Sequence, residues 1–321
     1  MDHQLALAQA ALDDAARRGA PLASLMDRQQ AIDSARDTAA GIVRLTQLTR
    51  IGGLPPELAG QPVRLARRAD RLFLVAGGFY EVDTANQRLA LLLAPGQTIS
   101  DLTVGALQSV AWEHDAIRVQ DGTHLFTLNV AGLWTGEPLG LGGSQQAWGP
   151  LPSGSFDGNF YLLDPTAGQV LRFPAGEMGS RPTAWVDPND ATGIASAIDM
   201  TIDGEIHLLL SDGSVRSYYR GEATAHLAIP VLPPVRTPLG LYGGPDTGYL
   251  YLADSDGASG RIIRFDREAA QVQQLLLPNS KAGQNVVTPD PLSQLGDFVV
   301  DESTNSIYFV TDDALWSARI G

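Results

Sequence analysis

The chain has 321 residues, 44% of them hydrophobic and only 18% charged, which is too apolar for a disordered polymer and too poorly charged for an assembly of long solvated helices. Its formal net charge of −14 opposes binding to phosphate backbones, which relies on Lys and Arg. The absence of cysteine excludes disulfides, thiolate zinc sites and cysteine nucleophiles, and no apolar run reaches the roughly 18 residues of a membrane helix.

Residues 2 to 41 predict a helical hairpin or linker. Leu5, Ala8, Leu12 and Ala15 form one stripe, and Gly19-Ala20-Pro21 stops the first helix. Leu22, Leu25, Met26, Gln29, Ile32 and Ala35 recur at steps of three or four in the second. A hairpin this short has to pack its stripe on something else. The opening Met1-Asp2-His3-Gln4 has neither a basic stretch nor a long apolar one, so no secretory signal is expected and a cytoplasmic location is.

After Gly52-Gly53-Leu54-Pro55-Pro56 short β-type segments recur. Their anchors are Leu72–Val75, Ile117–Val119, Phe160–Leu163, Ile206–Leu209, Leu250–Ala253 and Ile307–Val310. The anchors begin 45, 43, 46, 44 and 57 residues apart, the long last step holding an insertion at about residues 278–291. A second segment follows each anchor through a turn such as Asp121-Gly122, Asp212-Gly213 or Asp256-Gly257. Four strands repeated about every 44 residues is the period of a β-propeller blade. The expected architecture is an all-β, six-bladed propeller over residues 42–321. Its last blade lacks a fourth strand, and Ile42–Leu48, just after the helices, is expected to supply it and close the ring.

One blade carries a family likeness. Pro238-Leu239-Gly240-Leu241, Gly248-Tyr249-Leu250-Tyr251-Leu252-Ala253-Asp254 and Arg261-Ile262-Ile263-Arg264-Phe265-Asp266 resemble an NHL-repeat blade, with the gluconolactonase/regucalcin-like propellers as wider relatives. The resemblance extends, degraded, over about residues 62–320. It implies a propeller that binds proteins, or RNA through a basic face, or one that holds a divalent metal in its channel with Glu, Asn and Asp. It also implies an attachment to bacterial signalling enzymes.

The channel of such a fold is lined by the starts of the innermost strands. Those neighbourhoods are expected at Pro62-Val63-Arg64, Gln108-Ser109-Val110, Gln146-Ala147-Trp148, Ser196-Ala197-Ile198, Leu239-Gly240-Leu241 and Gln294-Leu295-Gly296. They contain no Glu/Asn/Asp set, and Asp199 and Asp297, just beyond two of them, are the metal candidates. Asp254-Ser255-Asp256-Gly257 looks like half a calcium loop, but its twelfth position is Phe265, so a polar hairpin turn is the better reading. His207 in an apolar strand reads as a packed, hydrogen-bonded side chain. Arg64, Arg67, Arg68 and Arg71 form a basic cluster on a solvated edge. Among five tryptophans, Trp148 in its Gly/Gln/Pro loop is the one expected to be exposed, the rest wedging between blades.

The functional expectation is a non-catalytic, monomeric protein-interaction or ligand-sensing module without a cofactor. It would belong to a larger bacterial signalling protein and bind a protein or small molecule on one face of the disc. Trp148, Gln146, Gln108, Ser196 and Gln294, with the loops at about residues 140–158 and 278–291, are the candidate binding positions. The alternative is a metal-dependent lactonase-type hydrolase with Asp199 and Asp297 in its channel.

Overall fold

The computed structural model describes residues 2–58, 61–113, 115–141, 147–278 and 290–321. Helices α1 (Asp2–Arg17) and α2 (Leu22–Ala39) precede an all-β propeller. Gly19, left-handed at φ +81°, ends the first turn between them, and Pro21 caps α2. Of the expected stripe, Leu12 and Ile32 are buried where the helices meet, whereas Leu22 and Met26 stay exposed. No helix among the described residues is long and apolar enough to cross a membrane.

Gly41 turns the chain at φ +63° into β1 (Ile42–Gly53). An added Cβ there would lie 3.1 Å from the Val272 carbonyl, so the turn needs glycine twice over. Ile42–Arg44 pair in parallel with strand Val272–Leu276, and from Leu45 onward β1 runs antiparallel to strand Ala314–Ile320. The closing strand therefore runs to Gly53 rather than Leu48. It bulges between Thr46 and Thr49 and between Arg50 and Gly52.

Four sheets have four strands each. The first is Arg64–Arg68, Arg71–Ala76, Gly78–Asp83 and Arg88–Leu93; the second is Ser109–Trp112, Ala116–Gln120, His124–Asn129 and Trp134–Pro138. The third is Ser153–Phe156, Asn159–Asp164, Gln169–Phe173 and Thr183–Ala184; the fourth is Ala197–Ile202, Ile206–Leu210, Val215–Tyr219 and Glu222–Leu227. Thr98–Ile99 and Leu102–Thr103 form a two-stranded sheet, and one further sheet has eight strands. Pro238–Tyr242, Leu250–Ser255, Gly260–Phe265 and Val272–Leu276 lie on one side of β1, and Ala314–Ile320, Ser306–Val310 and Asp297–Asp301 on the other. The innermost strands, beginning at Arg64, Ser109, Ser153, Ala197, Pro238 and Asp297, each touch the next, and the last touches the first. They enclose the central channel.

The anchor strands are apolar because both their faces are covered. Every residue of Ile206–Leu210 and of Leu250–Ser255 is buried. Aromatic side chains fill the gaps between sheets: Phe79 of the first meets Trp134 of the second edge-on with ring centres 5.7 Å apart. Polar contacts join neighbouring sheets as well. Arg67 of the first sheet pairs with Asp301 of the eight-stranded one at 2.7 Å, and within the latter Glu302 ties its two halves by accepting from the Gly248 amide (2.8 Å) and the Tyr251 hydroxyl (2.8 Å).

Leu45 is the fully buried residue at which β1 switches partners. Leu45→Ala should cost about 2–5 kcal/mol of unfolding free energy. Thr46→Ala, at the next and exposed position, should stay within about 0.5 kcal/mol. Urea denaturation of the two variants measures both.

Candidate functional site

The pairing register places one residue of each innermost strand, or the residue just before it, at a common level of the channel. Arg64 lies opposite Val75, Ser109 opposite Gln120, Asp199 opposite Leu209 and Asp297 opposite Val310. Pro152 accepts from the Leu163 amide at 3.0 Å, and Gly240 lies opposite Ala253. The level thus reads Arg, Ser, Pro, Asp, Gly, Asp around the ring. All but Gly240, which has no side chain, line a cavity of ≈ 110 Å³, with Ser153 and Tyr242 further along it. That space suits a few waters or a small polar molecule.

The two carboxylates also hold the ring together. Asp199 Oδ2 accepts from the Leu241 amide of the next innermost strand at 2.7 Å, and its Oδ1 from the Met200 amide at 2.9 Å. Asp297 Oδ2 accepts from the Leu65 amide at 2.7 Å. The packing is close here: a Cβ on Gly240 would lie 3.3 Å from Asp199 Oδ2. Both acids are half-buried. Burial pushes their pKa values up, and the Arg64 charge and the amide bonds only partly offset it. The nearby Asp199 adds repulsion at Asp297, whose pKa is pushed up to about 6. Burial works against the Arg64 cation, yet Asp297 and Asp199 hold its pKa above the usual arginine value.

The candidate positions read from the sequence part company. Asp199 and Asp297 do line the channel. Ser196 is exposed and donates to the Gly193 carbonyl at 2.8 Å within its own 3-10 turn, and Gln294 is exposed at the end of the turn Pro291–Gln294. Gln108 lies beside the Asp121 carbonyl, one residue before its strand. The third innermost strand begins at Ser153, so the channel neighbourhood expected at Gln146-Ala147-Trp148 is corrected to Pro152-Ser153. Trp148 is half-buried rather than exposed: its Nε1 donates to the Gly140 carbonyl at 3.0 Å and its ring stands edge-on to Phe173. A loop tryptophan with an apolar neighbour and a free carbonyl in reach gains more by docking than by facing water. Gln146, with the rest of residues 142–146 in the first candidate loop and residues 279–289 in the second, lies outside the described residues.

The basic cluster divides. Arg67 pairs with Asp301 and Arg71 with Glu81, while Arg64 turns to the channel. Sequence reasoning named Arg64 both in that cluster and in the channel neighbourhood Pro62-Val63-Arg64, but gave it no role beside the acids. The signal available was its register with Asp297. His207 is buried between Asp203 (2.9 Å) and Ser217 (2.8 Å) as expected. Burial would raise the Asp203 pKa, but the His207 bond, the Arg267 charge and the Glu205 amide hold it at about 2. Asp254 accepts from the Arg236 and Thr237 amides and pairs with Arg261, while Asp256 holds its own turn through the Ala258 and Ser259 amides. Among the described residues no three His, Cys, Asp or Glu side chains converge in a metal-ligating group.

No family model and no curated protein matches the chain. Solved structures share its fold. A gluconolactonase from Xanthomonas campestris aligns at a TM-score of 0.52 with 11% identity, over 88% of this chain and 98% of that one. The extracellular domain of the hybrid two component system BT4673 from B. thetaiotaomicron aligns at 0.52 with 10% identity, over 86% of this chain and 40% of that one. PorZ, a bacterial surface component of the type-IX secretion system of Porphyromonas gingivalis, aligns at 0.47 with 13% identity, over 85% and 39%. The chain spans about two fifths of the length of these last two proteins. With the closed ring of innermost strands, the first two likenesses show a β-propeller fold.

Asp297 also makes stability depend on pH. Its pKa is about 6 in the folded chain and 3.8 without the fold, so between these values the folded state holds more protons and ionisation weakens it. The stabilising effect is complete below pH 3.8 and lost as pH rises through about 6. The melting temperature of Asp297→Asn relative to wild type should therefore rise between pH 4 and 7; a flat difference would contradict this.

Proposed function

We propose that the chain is a six-bladed propeller acting as a non-catalytic binding module, sensing a small ligand or docking a protein within a larger signalling protein. The count of six reads the eight-stranded sheet as two blades fused through β1. In support of the module reading stand the chemistry of the channel level and a fold-level likeness to the BT4673 extracellular domain.

The observation that carries it is Arg64. A hard cation needs several converging oxygens. This level offers two carboxylates, Asp199 with both oxygens and Asp297 with Oδ2 held by backbone amides, and adds a guanidinium whose charge acts on both. The residues present do not fit a divalent metal. Ser153 Oγ, buried on the channel wall without a partner, suits a small polar occupant that takes or gives a hydrogen bond.

The lactonase reading draws on the same two acids and on the Xanthomonas structure. Calorimetric melting with calcium, magnesium and zinc, together with a lactone hydrolysis assay, separates the two. The binding-module reading predicts no melting shift and no turnover above background. Metal-dependent turnover that disappears in Asp199→Asn would overturn it. Arg64→Glu should bring a third carboxylate to the level and create a melting shift that grows with metal concentration.

A further inference from the structure

Away from the channel, a groove of ≈ 480 Å³ opens between the third and fourth sheets. Its floor is one face of the third sheet, where Tyr161, Arg172 and Thr183 stand in a row across three strands. Trp185 continues that face, half-buried and edge-on to Tyr161. The facing wall is the hairpin turn at Tyr219 and Arg220, with Phe156 and Asp157 at one end. Tyr219 and Phe156 are large aromatics left exposed, at 47% and 39%.

Three observations point to an anionic, ring-bearing occupant. The first is an unsatisfied donor: Arg172 Nε is buried without a hydrogen-bond partner. The second is charge. Two guanidiniums, Arg172 and Arg220, face one carboxylate, Asp157, on a protein whose formal charge is −14. The third is rigidity. Arg220 and Gly221, at φ +52° and +89°, make a tight turn, and a Cβ on Gly221 would come within 2.4 Å of the Trp185 carbonyl. The Gly221 carbonyl in turn accepts from the Asp187 amide at 2.8 Å. The wall is thus locked against Trp185 before any ligand arrives, which lowers the ordering cost of binding.

We propose that this groove binds a small ring-bearing carboxylate, its carboxylate held by Arg172 and Arg220 and its ring against Trp185 and Tyr219. Guanidinium pairs suit carboxylate geometry, and the aromatic faces suit either a sugar ring or an aryl ring. The site is separate from the channel and does not rest on the channel being non-catalytic.

Titration calorimetry with glucuronate and 4-hydroxyphenylacetate, each beside its uncharged counterpart glucose or 4-hydroxyphenylethanol, tests the proposal and separates its two sources. At least one acid should bind tenfold or more tighter than its counterpart. Arg220→Gln, at an exposed turn, should weaken it tenfold or more without lowering the melting temperature, and Arg172→Gln should weaken it likewise. Asp157→Asn should tighten it, and Asp297→Asn should leave it unchanged. Equal binding of acids and neutral counterparts, or wild-type affinity in Arg220→Gln, would overturn the proposal.

Discussion

A sheet with two apolar faces is stable only when a neighbour covers each of them, and a row of such sheets keeps two bare ends until it closes on itself. In this protein β1 makes that closure. It is held on one edge by strand Val272–Leu276 and on the other by Ala314–Ile320, so chain before the first sheet is built into the last one. The covering of Phe298, Phe309 and Leu45, all fully buried, depends on it. So does the channel, because only a closed ring brings Asp297 beside Leu65 and Arg64.

Closure also explains why the channel acids have a double character. Asp199 and Asp297 each reach across to an amide of the adjacent innermost strand. A carboxylate that stitches two strands together in a narrow channel is partly desolvated, and its charge is costly unless answered. Arg64, at the same level, answers both. The arrangement balances charge inside the ring, and it leaves little for a divalent cation to gain.

The anchor segments and their period were legible in the sequence because burial on both faces turns each anchor strand into a short unbroken apolar run. Leu250-Tyr251-Leu252-Ala253 is one such run. The helices, the closing strand and the hydrogen-bonded His207 were legible for similarly local reasons. The third innermost strand was not: Ser-Gly-Ser-Phe at 153–156 carries no β-branched residue, so the channel neighbourhood was placed too early, at Gln146–Trp148. Arg64 was legible as a channel neighbour but not as the partner of Asp199 and Asp297, because that charge balance depends on ring closure bringing distant strands together. The groove at Arg172 and Trp185 depends on cross-strand rows and on a turn from the adjacent sheet, neither of which a linear pattern reveals.

Native-state hydrogen exchange tests most directly whether β1 closes the ring. The amides of β1 paired with Ala314–Ile320 should exchange only through the global opening that also frees the anchor strands Leu250–Ser255 and Ser306–Val310. Exchange of the β1 amides many-fold faster than those anchors, under conditions where the anchors remain protected, would contradict the account.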